Sequence, residues 1–356
     1  MPQDRHLTTT SAVVAGSWLR RAAIVLPLLV ALAILVTAAP TAARSRIALG
    51  ASDPQGWNMA VLDAHIAKVG KKPALWSLWS NWGGGRDATA NCVRPAQWWG
   101  GHCAFPTNEV LSLHSRGIDP VIWWQPHDPA NRTSGTYHRY VRILNGKHDA
   151  YIKQWARDAK AAGKAHPGRR IIVRFAHEQT GTWFPWGIGK FDNTKANFKK
   201  AWRYIWKKFK AAGALPYVRF MWSNVWPRKY AYPGDKYVDY VGLTILNFGW
   251  DAKHWRPMDR MVSNRVDNAR KFSKKPVILA EVASGDGGGD KGRWIKQGYK
   301  KAYKKHPRVR GIMWLDTDEP HVEAGHPDWR LEAPNGSALP KYQYLAAQGK
   351  YSGRIK

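Results

Sequence analysis

Two glutamates follow apolar runs that have no evident use for charge: Glu178 in "IIVRFAHE" and Glu281 in "PVILAEVAS". An unpaired carboxylate is costly to bury, so each must meet a partner or carry out chemistry. Two carboxyls about 5–5.5 Å apart can cleave a glycosidic bond with retention, one attacking the anomeric carbon and the other protonating the leaving oxygen. An ionised neighbour raises the pKa of the acid, and a cation such as Arg174 favours the charge of the nucleophile. Either glutamate alone reads better as a salt-bridge partner; the pair, each at a strand end with indoles nearby, reads as a site. "RFAHEQTGTWFPWG" places Arg174, His177, Glu178, Trp183 and Trp186 in one short segment.

The chain holds 21 tryptophans, and their positions matter more than their number. Sugar rings stack their C–H faces on indoles, and the indole N–H can serve a hydroxyl. Trp183, Trp186, Trp222, Trp226, Trp250 and Trp314 fall at or just past the ends of apolar runs. With His177, Arg174, Asn224 and Gln125, four of them (Trp183, Trp186, Trp222 and Trp314) make up the candidate substrate-binding set. Trp155, Trp202 and Trp206 lie inside amphipathic segments and are expected in the core.

Eight apolar runs must position these groups: 47–52, 74–80, 120–126, 171–178, 217–224, 240–247, 276–284 and 311–316. They are near-continuously apolar, as strands buried on both faces are. Helical spacing separates several of them. Ile152, Trp155, Ala159 and Ala162 recur at steps of three and four behind Asp149, placed to cap. Phe198, Trp202, Ile205, Phe209 and Ala212 repeat the pattern until Gly213. Strands alternating with helices form parallel βαβ units, and eight of them match an α/β fold of the closed (β/α)₈ TIM-barrel type. Active sites of such barrels lie at the C-terminal ends of the strands, where these polar residues gather.

One domain is expected over residues 46–346, followed by a basic C-terminal tail at 347–356. Residues 1–43 order Arg20 and Arg21, an apolar run over 22–39 and then small residues, as a cleaved signal peptide or an uncleaved membrane anchor does. Either alternative puts the remainder outside the cytoplasm, and any membrane contact in residues 22–39. The only cysteines, Cys92 and Cys103, are then expected to form a disulfide. With 56 Lys plus Arg against 25 Asp plus Glu, the net charge is +31. The cations are spread along helices rather than gathered in a compact motif, so no specific nucleic-acid partner is expected. An anionic envelope polymer is a further candidate partner. No metal-ligand spacing or phosphate-binding glycine loop is present: "GDGGGDKG" lacks the Walker ending. No cofactor and no metal are expected.

The segment "RFAHEQTGTWFPWG" resembles the acid/base motif of glycoside hydrolase family 26, the β-mannanase family, with its Arg-x-x-His-Glu core followed by Gly-x-Trp. "ILNGKHDAYIKQWARDAK", "YPGDKYVDYVGL", "PVILAEVASGDGGGDKGRWI" and "DWRLE" are similar to its further segments in order, over most of the chain beyond residue 43. The resemblance implies a retaining (β/α)₈ hydrolase with Glu178 as acid/base, Glu281 as nucleophile, and His177 and Trp314 at the subsite of the cleaved sugar. The family commonly has a tyrosine near the end of strand six that hydrogen-bonds the nucleophile; Leu246 stands in its place here. The expectation is an exported retaining endo-β-glycosidase acting on a β-linked polysaccharide, β-mannan by family frequency. The alternative is a non-catalytic or weakly catalytic carbohydrate-binding or exopolysaccharide-assembly protein on the same barrel.

Overall fold

A computed structural model describes residues 44–82, 103–127, 137–318, 327–332 and 336–355. All of them belong to one compact unit, Arg44–Lys356. Eight parallel strands close into a barrel in sequence order: β1 (Ala48–Ser52), β2 (Leu75–Asn81), β3 (Asp119–Gln125), β4 (Ile171–Phe175), β5 (Val218–Asn224), β6 (Tyr240–Asn247), β7 (Val277–Ser284) and β8 (Val309–Leu315). The ring shuts through β1 and β8, with Ala48 opposite Gly311 and Ser52 opposite Leu315. Each expected apolar run supplies one strand.

Alternation along the strands sorts side chains into two layers. Leu75, Val121, Ile172, Met221, Tyr240, Ile278 and Met313 fill the barrel interior. Their strand neighbours, such as Ile122, Val173, Phe220, Val241, Leu279 and Ile312, face the surrounding helices. Strand β7 breaks this rule once. Leu243 of β6 lies opposite Leu279 and Thr244 opposite Glu281, so Ala280 is an extra residue, a β-bulge. Upstream, Ile278 and Ala280 face inward; beyond the bulge Glu281 and Ala283 do so. Without that slip Glu281 would share the outward face of Val277 and Leu279.

The helices are α1 (Met59–Val69), α2 (Thr107–Ser115), the short α3 (Tyr140–Leu144), α4 (Asp149–Ala165), α5 (Lys195–Ala211), α6 (Met258–Arg270), α7 (Lys291–Lys305) and α8 (Ala338–Ala347). The spacing expected to bury one stripe of α4 and α5 does so, with Ile152, Trp155, Ala159, Phe198, Trp202 and Phe209 inaccessible. Gly213, at φ +70°, takes the left-handed conformation just beyond α5. Asp149 is not a cap but the first residue of α4. Its carboxylate accepts from Tyr204 Oη at 2.7 Å and from Lys208 Nζ, tying α4 to α5. The stretch after α8, expected as a tail, folds back onto the barrel. Gly353 N–H donates to Ile47 C=O at 3.0 Å, and Ile355 joins the interior cluster.

Candidate active site

Strand β4 delivers the first half of the site. Arg174 faces inward two residues after Ile172 and is fully buried. Its guanidinium lies 4.3 Å from the centre of the Trp123 ring, and Nη2 donates to Ser223 Oγ at 2.7 Å and to Glu281 Oε2. Past the strand, Ala176 and Glu178 adopt left-handed backbone conformations, at φ +42° and +53°. Such conformations are strained for residues with a Cβ and recur at functional sites. Here they turn Glu178 back over the barrel mouth, its N–H donating to Ser223 C=O at 3.0 Å.

Glu178 Oε1 and Glu281 Oε2 share one neighbour, Thr244 Oγ1, at 2.6 and 3.2 Å. Those two legs sum to 5.8 Å, so the two carboxylate oxygens lie no further apart than that. Glu178 Oε2 accepts from Trp183 Nε1 at 2.9 Å. Both carboxylates are buried, and their surroundings differ. Glu281 has the Arg174 countercharge. Burial, reinforced by the Glu281 charge, pushes the Glu178 carboxyl up to about 7 against the opposing pull of Arg174, Thr244 and Trp183. His177, buried beside them, is held well below the usual imidazole range by burial and by Arg174 and His127. It is therefore neutral, its ring packed between Trp123 and Phe184 at centroid distances of 5.1 and 4.6 Å.

Several polar side-chain atoms buried beneath the two carboxylates lack partners among the described residues: His177 Nδ1, Trp123 Nε1 and both amide atoms of Gln125. Such groups are expensive to leave unsatisfied. No group of three or more His, Cys, Asp or Glu among the described residues is arranged to hold a metal ion.

The expected tryptophans divide sharply. Trp183, Trp226 and Trp250 are 53%, 54% and 45% exposed at the mouth. Trp186, Trp222 and Trp314 are inaccessible, so none presents the open face at the mouth that was expected of it. Trp186 lies behind His177, donating to its carbonyl at 2.8 Å and stacked on Phe184 at 4.4 Å. Trp222 faces outward among Tyr232 and Phe272; with the Gln179 amide turned to present its oxygen, the indole N–H donates to it at 2.8 Å. Trp314 packs against Trp294 and Tyr342 and donates to Trp329 C=O at 2.9 Å. The physical reason is parity: Trp222 and Trp314 alternate with inward Met221 and Met313. Asn224 is buried and accepts from Thr180 Oγ1 at 2.6 Å, which fixes the loop after Glu178. Leu246 packs against the apolar group of Ala283, Leu315 and Trp329. Thr244, one alternation earlier on the same face, carries the hydroxyl next to the carboxylates and escaped the sequence reading. Period-two counting back from Leu246 points to it. Cys103 is buried, while Cys92 and residues 1–43 lie outside the described residues.

Comparison with known proteins adds four findings. The family model for glycosyl hydrolase family 26 matches residues 118–306, a span that includes both glutamates. The chain is 32% identical over 251 residues to endoglucanase H of Acetivibrio thermocellus, covering 67% of this chain and 25% of that protein. It is 30% identical over 167 residues to mannan endo-1,4-beta-mannosidase A and B of Caldalkalibacillus mannanilyticus, covering 44% of this chain and 30% of that one. The matched part is thus less than a third of the length of either relative. Among solved structures, the catalytic domain of a Bacillus sp. JAMB-750 endo-beta-1,4-mannanase superposes with a TM-score of 0.60 at 16% identity over 86% of each chain, a likeness of fold.

Proposed function

Because the chain belongs to glycosyl hydrolase family 26, we propose that it hydrolyses a β-linked polysaccharide from within, with retention, using Glu281 as nucleophile and Glu178 as acid/base. The observation that carries this reading is the asymmetry of two carboxylates sharing one threonine hydroxyl. One is paired with a buried arginine, and the other is pushed up to about 7 by burial and by its neighbour. A carboxyl with that value is largely protonated in mildly acidic solution and gives up its proton readily.

In the first step Glu281 attacks the anomeric carbon while Glu178 protonates the departing glycosidic oxygen. In the second, the Glu178 carboxylate takes a proton from water, which attacks the glycosyl ester and frees Glu281. Trp183, Trp226 and Trp250 would stack rings of the chain at the mouth. The relatives are named for glucan and mannan cleavage, so β-mannan and β-glucans are the first substrates to assay.

Export belongs to the same proposal and rests on the order of charges and apolar residues in 1–43. Among the described residues no helix is long and apolar enough to cross a membrane. N-terminal sequencing of protein released by the producing cell tests it. An anionic envelope polymer as second partner is supported by a groove of about 550 Å³ between α4 and α5, lined by Lys153, Arg157, Lys160, Lys164 and Lys208.

Glu281→Ala should abolish turnover on every substrate. Glu178→Ala should still glycosylate on a dinitrophenyl glycoside, show a burst, and be rescued by azide with a β-configured product. Azide rescue of Glu281→Ala with a β-configured product, or of Glu178→Ala with an α-configured one, would reverse the roles. Wild-type protein that binds a β-glycan but cleaves none would favour the assembly reading.

A further inference from the structure

Thr244 touches both carboxylates, and its position is imposed rather than incidental. The bulge at Ala280 brings Glu281 level with it, and Arg265 of α6 donates from Nε to its carbonyl at 2.9 Å. Arg265 is itself buried beneath the exposed Trp226, its guanidinium 4.1 Å from the ring centre. The hydroxyl is therefore held by three elements, but it has one hydrogen and two acidic neighbours. At 2.6 Å from Glu178 and 3.2 Å from Glu281 it can donate to only one carboxylate at a time while accepting from the other if that one is protonated.

We propose that Thr244 is a positioning residue whose hydroxyl donates to whichever carboxylate bears the negative charge, turning from Glu281 to Glu178 as the covalent intermediate forms. In the free enzyme, protonated Glu178 donates to Thr244 Oγ1, which donates on to Glu281. Once Glu281 is esterified and Glu178 has surrendered its proton, the hydroxyl rotates and donates to Glu178. No covalent bond is made or broken at Thr244; only its O–H changes direction. The assignment of the two roles comes from the function proposed above. The charge-following behaviour can be read without turnover.

The groups facing the pair among the described residues are Arg174 and Ser223 from the barrel interior, His177 and Trp183 from the loop after β4, and Arg265 from α6. None of these is altered by a change at Thr244, so a double-mutant cycle isolates the hydroxyl. The Glu178 carboxyl is titrated by carbon NMR in protein with labelled glutamate side chains, as wild type, Thr244→Val, Glu281→Gln and the double variant. Glutamine at 281 is neutral, as the ester is.

Removing the 281 charge should lower the Glu178 pKa in both backgrounds. The fall should be larger with threonine present, by about tenfold in proton affinity, because only then does a donor turn to the Glu178 carboxylate. Thr244→Ser should keep the larger fall, since serine retains the hydroxyl. Equal falls in the threonine and valine backgrounds, or a serine variant that behaves like valine, would overturn the proposal. Wild-type protein without activity on any β-glycan would instead defeat the functional reading, and the titration would still decide whether the hydroxyl follows charge.

Discussion

Glu178 should destabilise the protein it serves. Its carboxyl has an ordinary value of 4.5 and is pushed up to about 7 in the folded chain, chiefly by burial and then by Glu281. The side chain is only 7% exposed, so solvent screening removes little of this effect. A folded pKa above the unfolded one means the folded state binds the proton more tightly. The resulting stability is fully present below about pH 4.5 and is lost as pH rises to about 7 and beyond. At about 1.4 kcal/mol per pKa unit, the shift corresponds to about 3 kcal/mol. Glu178→Gln keeps the size of the side chain, an acceptor for Trp183 and a partner for Thr244, but has no charge to desolvate. Urea unfolding of wild type and variant should therefore give nearly equal stabilities at about pH 4 and a variant more stable by about 3 kcal/mol at about pH 8. Taking the difference between the two proteins cancels the other titrating groups. A gap of the same size at both pH values, or a wild type that is the more stable at high pH, would refute the reasoning.

Three further outcomes are expected. Trp183→Phe removes a donor to the ionised form of Glu178, so the alkaline limb of the kcat/KM profile should move upward by as much as about one pH unit. Lost stacking at the mouth should raise KM in the same variant; an unmoved limb would count against the contact. Trp314→Phe leaves the Trp329 carbonyl without its indole donor and should cost about 1–3 kcal/mol in urea unfolding while leaving KM within about twofold. A large rise in KM would restore Trp314 to the substrate site. Cys92 and Cys103 should resist alkylation in unfolded protein until a reductant is added, as mass spectrometry would register; ready alkylation beforehand would exclude the bridge.

Much of the barrel was legible because strands buried on both faces write themselves as continuous apolar runs, and each run became one strand. The two glutamates stood out because charge is costly where those runs end. Which face a residue takes was harder to read, since a continuous apolar run hides its own alternation. Trp222 and Trp314 sit at strand ends, as a sugar platform would, yet point into the layer between sheet and helices. Glu281 shows the opposite difficulty: its inward aim depends on an extra residue at Ala280, and nothing in "ILAEVA" announces a bulge. A threonine in a strand carries no local mark, and the family resemblance points to Leu246 instead. The importance of Thr244 comes from Glu281 opposite it on β7 and from Glu178 beyond the end of β4, neither of which its own segment names.

Arg174 is fixed, charged and sealed inside the barrel, with two of its nitrogens unpartnered among the described residues. A permanent cation in such a place requires one anion, and the proposed reaction never leaves it without one. At rest the anion is Glu281, with Glu178 carrying a proton; in the covalent intermediate Glu281 is an ester and Glu178 is the anion. The double displacement thus passes a single negative charge around the stationary Arg174, and the net charge of the pocket, to which Arg265 also contributes, is the same at each resting point of the cycle. No counter-ion has to enter or leave. The chemical steps should therefore be indifferent to salt, even though the surface around them carries most of a net charge of +31.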